Sequence, residues 1–366
     1  MARGAFSPRA MQLARGALGI SQSDLASDIG VSQPAVSMWE KGDRVPEDAA
    51  LERLAAALQV LPSGLTDDRV ATTTPMFRAA GVKTKRDERR VEGNLELARL
   101  AAARIMENVE LTPALPWPTS DDPLSLDVDE AAQQLRRVWR IPNGPVQSLI
   151  AYIEAAGAIV LRVAFGHPKV EAAYAQPRRD SQRWISLNIE ATDGARLRLT
   201  VAHELGHAVL HHWDAFNVPD EREREAQAFN FALALLVPAD EFTLDVIHTN
   251  RRWDDFLRLR NKWGVSAAAL ARRAHNLGMV NQVAYRNLNI ERRTRGHWTR
   301  EPGDIAVEEP RVFSDTVELI REQGGWTDAD FATAAGLPFD RLAALLPEQF
   351  KNAPAELPRH GLRLIS

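Results

Sequence analysis

The segment from Arg196 to His212, RLRLTVAHELGHAVLHH, constrains this chain more than any other. Its centre, His203-Glu204-Leu205-Gly206-His207, places two imidazoles four residues apart. On an α-helix such residues share a face, so both rings can converge on one zinc ion in the H-E-x-x-H manner. Glu204 lies beside them, placed to take a proton from a water at that metal. Val201, Leu205, Ala208 and Val209 form a separate apolar stripe, which gives the helix a core side and a metal side. The chain has no cysteine, which excludes disulfides, thiolate zinc sites and cysteine nucleophiles together. Any metal must be held by histidine and carboxylate.

Catalytic zinc usually takes three protein ligands and keeps a fourth position for water. One zinc per chain is therefore expected, with the third ligand on a neighbouring helix. The next helical stretch, residues 220–238, is stopped by Pro238. Its inward stripe is expected to run Ala228, Phe229, Ala232, Leu235 and Leu236, and one turn before it stands Glu225. Glu223 shares instead the face of Gln227 and Asn230. A carboxylate aimed inward needs a charged partner, which zinc would provide. The predicted ligands are His203, His207 and Glu225, with Glu221 as the rival for the third place. Asp214 or His211 as a fourth ligand would close the site. His211 and His212 are expected at the surface or behind the ligands, because the helix carries His211 away from the metal.

A second constraint lies in residues 21–46, SQSDLASDIGVSQPAVSMWEKGDRVP. Ser21 or Ser23 can cap a helix whose apolar stripe is Leu25, Ala26 and Ile29. Gly30 permits a sharp turn and Val31 plugs the space between two helices. Ser32 caps the next helix, and Pro34 is tolerated in its first turn. Val36 and Trp39 point inward, and Gly42 ends the helix. Two helices joined this way form a helix-turn-helix, whose second helix can enter the major groove of double-stranded DNA. Residues 1–68 carry six basic side chains against nine acidic ones, and the reading helix has no Lys or Arg before Lys41. Weak attraction per monomer follows, to be compensated by a homodimer on an operator of two half-sites.

The 366 residues are 45% hydrophobic and 26% charged, enough for two or three domains with real cores. No apolar run approaches the roughly 20 residues of a membrane span. Met1 to Ser7 lacks a secretory apolar region, and with the missing cysteines this predicts a cytoplasmic protein without a membrane partner. Texture divides the chain into residues 1–66, a linker and connecting helix over 67–120, a central region over 121–245, and an Arg-rich helical region over 246–366. The linker opens with the Thr-rich Val70–Pro75 and the charged run Lys83–Arg90. Leu95, Leu97, Leu100 and Ile105 then mark a long helix before Pro113, Pro116 and Pro118. Strands are expected at Ala158–Phe165 and Arg183–Glu190; in the second, Ile185, Leu187 and Ile189 alternate with Trp184, Ser186 and Asn188. A helix pair, Asp328–Ala334 and Pro338–Leu345, turns at Gly336 and is expected as packing rather than as a second reading unit.

Residues 9–62 resemble the phage-repressor-like (XRE/Cro) helix-turn-helix family. The resemblance rests on Arg15, Leu25-Ala26, Gly30-Val31-Ser32, Trp39-Glu40-x-Gly42, and Pro46 before Leu54-Ala55. It implies that Gln22 grips phosphate while Gln33, Ser37 and Ser32 face base edges; Gln suits adenine through paired N6 and N7 contacts. Residues 125–240 resemble the ImmA/IrrE metallopeptidases. Besides the H-E-x-x-H, the matching pieces are Glu225-Ala226-Gln227-Ala228, Phe231-Ala232, Leu235-Leu236-Val237-Pro238, Arg198-x-Thr200, and Trp139 with Pro142 and Gly144-Pro145. Phe229 stands where that family often has Asn, a departure that removes no ligand. An XRE domain fused to such a peptidase is a recurring arrangement. Its tail is matched here by Lys262-Trp263-Gly264-Val265-Ser266, Leu270, Arg273, Glu301-Pro302 and Glu309-Pro310.

Together these resemblances imply a mainly α fold with a small β-sheet. An all-α helix-turn-helix domain would precede an α+β zincin-like metallopeptidase domain and a helical C-terminal regulatory region. They imply a transcriptional regulator whose zinc-dependent endopeptidase cleaves a repressor-type protein, or the chain itself, in a stress or phage-related response. Arg183–Glu190 would serve as an edge strand aligning the substrate. Tyr174, His212 and Arg198 are candidates of equal weight for stabilising the oxyanion. The alternative is a regulator whose metal site is structural or senses a ligand, without proteolysis.

Overall fold

The computed structural model describes residues 5–66, 76–77, 84–118, 127–175, 182–211, 220–350 and 361–365. It divides into two compact units: Met1–Pro113 with Gly157–Glu190 and Pro310–Ser366, and Ala114–Ala156 with Ala191–Glu309. Neither is one continuous stretch. Residues 157–190, grouped in sequence with the central region, cluster with the N-terminal residues.

The first unit opens with four helices, Pro8–Leu18, Gln22–Ile29, Gln33–Lys41 and Asp48–Ala57. Ser21 caps the second through a reciprocal pair with Asp24, each backbone N–H donating to the other's side chain at 3.1 Å. Gly30 ends it with φ of 70°, a left-handed turn that a β-carbon would penalise. Val36 and Trp39 are buried as their spacing requires. Ser32 takes the N-cap position of the third helix, but its side chain makes no capping hydrogen bond.

The long helix runs Lys85–Met106, capped by Thr84 and mostly buried between Val91 and Ile105. It does more than connect. Leu95, Ala98 and Ile105 share one apolar core with Leu25, Val36 and Leu54 of the helix-turn-helix and with Phe313, Phe331 and Leu342 from the chain's end. The pair Asp328–Ala335 and Phe339–Leu345 turns at Gly336 and packs into that same core.

Six strands occur among the described residues: β1 Met76–Phe77, β2 Val109–Leu111, β3 Ile159–Val163, β4 Ala172–Ala175, β5 Trp184–Asn188 and β6 Leu362–Leu364. Four form a mixed sheet in the order β1-β4-β5-β3, with β3 parallel to β5 and the other pairs antiparallel; β2 and β6 make a separate ribbon. Strand β5 is therefore interior, which overturns the expectation of an edge strand at Arg183–Glu190. All five of its residues are buried, so its alternation does not separate a wet face from a dry one. Buried Asn188 is satisfied by donating to the carbonyls of His167 (3.0 Å) and Val170 (2.8 Å).

The second unit contains the H-E-x-x-H helix, Gly194–Leu210, and the following helix, Glu221–Leu236. Two buried guanidiniums take up carbonyls at the C-terminal end of the latter, where helical partners run out. Arg136 donates to Leu235 O (2.6 Å) and Gly144 O (2.8 Å), and Arg273 donates to Val237 O (3.0 Å) while pairing with Asp129. Among the described residues, no helix is long and apolar enough to cross a membrane.

Candidate metal centre

Asp193 caps the H-E-x-x-H helix by accepting from Arg196 N at 3.2 Å. Val201, Leu205, Ala208 and Val209 are buried, which leaves His203 and His207 on the opposite side. The neighbouring helix approaches closely because position 206 is glycine. A β-carbon there would lie 3.0 Å from Ala228 Cα and 3.2 Å from Phe231 Cδ1, tighter than ordinary carbon contact. Ala228 anchors the approach, and Glu225, one turn earlier, is carried to the two imidazoles. His203 Nε2 and His207 Nε2 lie 3.1 Å apart; Glu225 offers Oε2 at 3.5 Å from the first and Oε1 at 3.2 Å from the second. Glu221 is exposed and stands outside this cluster.

Two imidazole nitrogens and a carboxylate oxygen, all within 4.8 Å of one another, form a donor set that suits zinc. Their electrostatics agree. Burial, then the neighbouring His203, His211 and Arg224, push His207 down to about 3, so its ring is neutral and can offer a lone pair. Glu204 is buried next to the cluster, and no hydrogen bond or ion pair to its carboxylate occurs among the described residues. Burial first, and the Glu225 charge second, push its carboxyl up to about 8. Such a group can exchange a proton near neutrality.

His211 lies behind the predicted ligand His207, one of the two places expected for it, although the helix was expected to carry it away from the metal. It does not leave the site: its Nδ1 lies 3.0 Å from His207 Nδ1, and its Nε2 lies 3.0 Å from Gln227 Oε1. Gln227 in turn donates to Glu223 at 3.3 Å. The four-residue step from His203 to His207 repeats from His207 to His211, which keeps the third ring on the same side of the helix. Histidine ligands commonly use their second nitrogen in this way, which fixes tautomer and ring orientation.

Residues 154–275 match the family model described as the IrrE N-terminal-like domain, a metallopeptidase family. Residues 11–65 match the model described as helix-turn-helix. The chain joins a helix-turn-helix module to an IrrE-like peptidase domain. No curated protein matches the chain.

Within the IrrE-like domain, the oxyanion candidates fare differently. Arg198 is committed elsewhere, pairing with Glu308 (2.6 Å) and donating to the carbonyls of Val146 (3.2 Å) and Gln147 (3.1 Å). Tyr174 is buried in strand β4 of the first unit, and burial pushes its phenol well above the usual range. His212 and Asp214 lie outside the described residues. Phe229, expected in the inward stripe, is half-exposed, and Phe231 is the buried aromatic of that helix.

On the reading helix, Ser32 and Gln33 are exposed and Ser37 is half-exposed. Gln22 uses both ends of its amide inside the protein. It accepts from Gln33 Nε2 at 2.8 Å and donates to Glu40 Oε2 at 2.6 Å. Buried Glu40 is held by the Arg15 guanidinium at 2.5 and 3.0 Å. A relay thus runs from Arg15 through Glu40 and Gln22 to the exposed Gln33.

Proposed function

We propose that this chain is a DNA-binding regulator whose IrrE-like domain is a zinc-dependent endopeptidase. Its substrate is a repressor-type protein partner or the chain itself, and its setting is a stress or phage-related response. The observation that supports this most is the convergence of His203, His207 and Glu225 beside the buried Glu204. The three would hold one zinc ion, which supplies Lewis acidity to the scissile carbonyl when bound. Glu204 takes the proton of the attacking water and returns it to the leaving amine. His211 holds the far nitrogen of His207, keeping that ring aimed at the cluster. Gln33, with Ser32 and Ser37 beside it, meets base edges in the major groove, and a homodimer covers two half-sites.

The test is incubation of the purified chain with repressors encoded beside its gene, with zinc and after chelation. Zinc-dependent fragments of one repressor, or of the chain itself, are the expected result. Intact proteins in every lane would contradict the proposal.

A further inference from the structure

Duplex DNA is a polyanion, yet the module that would read it holds six basic side chains against nine acidic ones. Residues 251–300 reverse this, with twelve arginines and lysines against three acids. Several of the twelve are already used. Arg260 and Arg273 are buried, and Arg258, Lys262, Arg295 and Arg300 pair with Asp255, Asp245, Asp254 and Asp304. Arg272, Arg286 and Arg293 are exposed, and no carboxylate pairs with them among the described residues.

These three gather around one element. The helix Gln282–Thr294 buries only Leu288. Arg286 and Arg293, two turns apart, share a face of it. Arg272, from the preceding helix, lies over the ring of Tyr285 at 5.9 Å. Just past the C-terminus, half-exposed Trp298 carries Arg292 at 4.7 Å and Arg293 at 5.1 Å over its ring. A guanidinium resting on an aromatic face is held in place while its N–H edge stays open to phosphate oxygens.

We propose that Arg272, Arg286, Arg293 and Trp298 form a second, sequence-independent contact to the sugar–phosphate backbone of duplex DNA, separate from the reading helix. The inference rests on the DNA-binding reading above. Charge complementarity carries it: the cations that phosphate requires are scarce in the reading module, and here no carboxylate pairs with them among the described residues. Val283 (68% exposed) and Ile290 (54%) stand on the same face, so an acidic protein helix is the competing occupant.

The experiment measures the affinity of the full chain for a random-sequence duplex across a salt series, and for poly-glutamate. Variants are Arg286→Ala/Arg293→Ala and the charge-keeping Arg286→Lys/Arg293→Lys. Two lost phosphate contacts should reduce the salt slope by about 1.8 and weaken low-salt binding, with metal content unchanged. The lysine variant should keep the wild-type slope. Wild-type duplex binding with an unchanged slope in the alanine variant overturns this inference and leaves DNA reading intact. Loss of poly-glutamate binding alone assigns the face to an acidic protein and also overturns it. Absence of wild-type binding to any duplex, at low salt, removes the DNA-binding reading and this inference with it.

Discussion

The two ring nitrogens of His207 face different partners: Nε2 lies 3.1 Å from His203 Nε2, and Nδ1 lies 3.0 Å from His211 Nδ1. One side of the ring belongs to the cluster, and the other is held by a group that Gln227 orients. Removing that support should loosen the ring without removing a ligand. His211→Ala is expected to weaken zinc binding roughly 10- to 100-fold, read by competition with a chromophoric chelator. Unchanged affinity would reduce His211 to a surface residue.

Gln22 stands between Gln33 and the Arg15–Glu40 pair. Its truncation should therefore free Gln33 to rotate, and not only remove a phosphate contact. Gln22→Ala is expected to lose preference at the same base step as Gln33→Ala, by roughly 1–3 kcal/mol. Binding to a panel of single-base operator variants reads this directly. A uniform loss across the panel would make Gln22 a phosphate contact alone.

The buried Glu204 gives the metal-free protein a pH dependence. Its carboxyl rises from 4.5 unfolded to about 8 folded, so the folded chain binds its proton more tightly. That contribution is full below the unfolded value and is lost as pH climbs through the folded one. Chelated wild-type protein should lose stability between pH 5 and 8 relative to Glu204→Gln, on the order of a few kcal/mol. Added zinc should narrow the gap, because a cation beside Glu225 offsets the charge that helps raise Glu204. Denaturant midpoints at several pH values test this, and parallel curves would show that the carboxylate is not desolvated.

What the sequence disclosed followed the range of each interaction. Helical period proposes His203 and His207 and narrows the third place to Glu225 or its rival Glu221, because each step is local to one of two helices; the packing of the two helices brings Glu225 to the rings. The same period placed Phe229 inward where Phe231 lies, since the two sit on opposite flanks of a stripe that Ala228 and Ala232 define. Strand β5 was legible as a strand but not as an interior one. Its neighbours β3 and β4 are set by pairing with other segments, and Ser186 and Asn188 are polar residues that the sheet buries. Arg198 looked available for chemistry because its partner, Glu308, lies far along the chain in a segment without periodicity. Gly206 fills one of the two unspecified positions of the H-E-x-x-H, yet it sets the distance between the two helices that meet at the cluster.

Glu204→Gln separates a cluster that performs hydrolysis from a passive metal site. The substitution keeps the side chain's shape but cannot accept a proton from water. The measurement is cleavage of the repressor partner by wild type and variant, each assayed for zinc content and DNA binding. The expected result is wild-type zinc and DNA binding with cleavage reduced at least about a hundredfold. Undiminished cleavage by a fully zinc-loaded variant would contradict it.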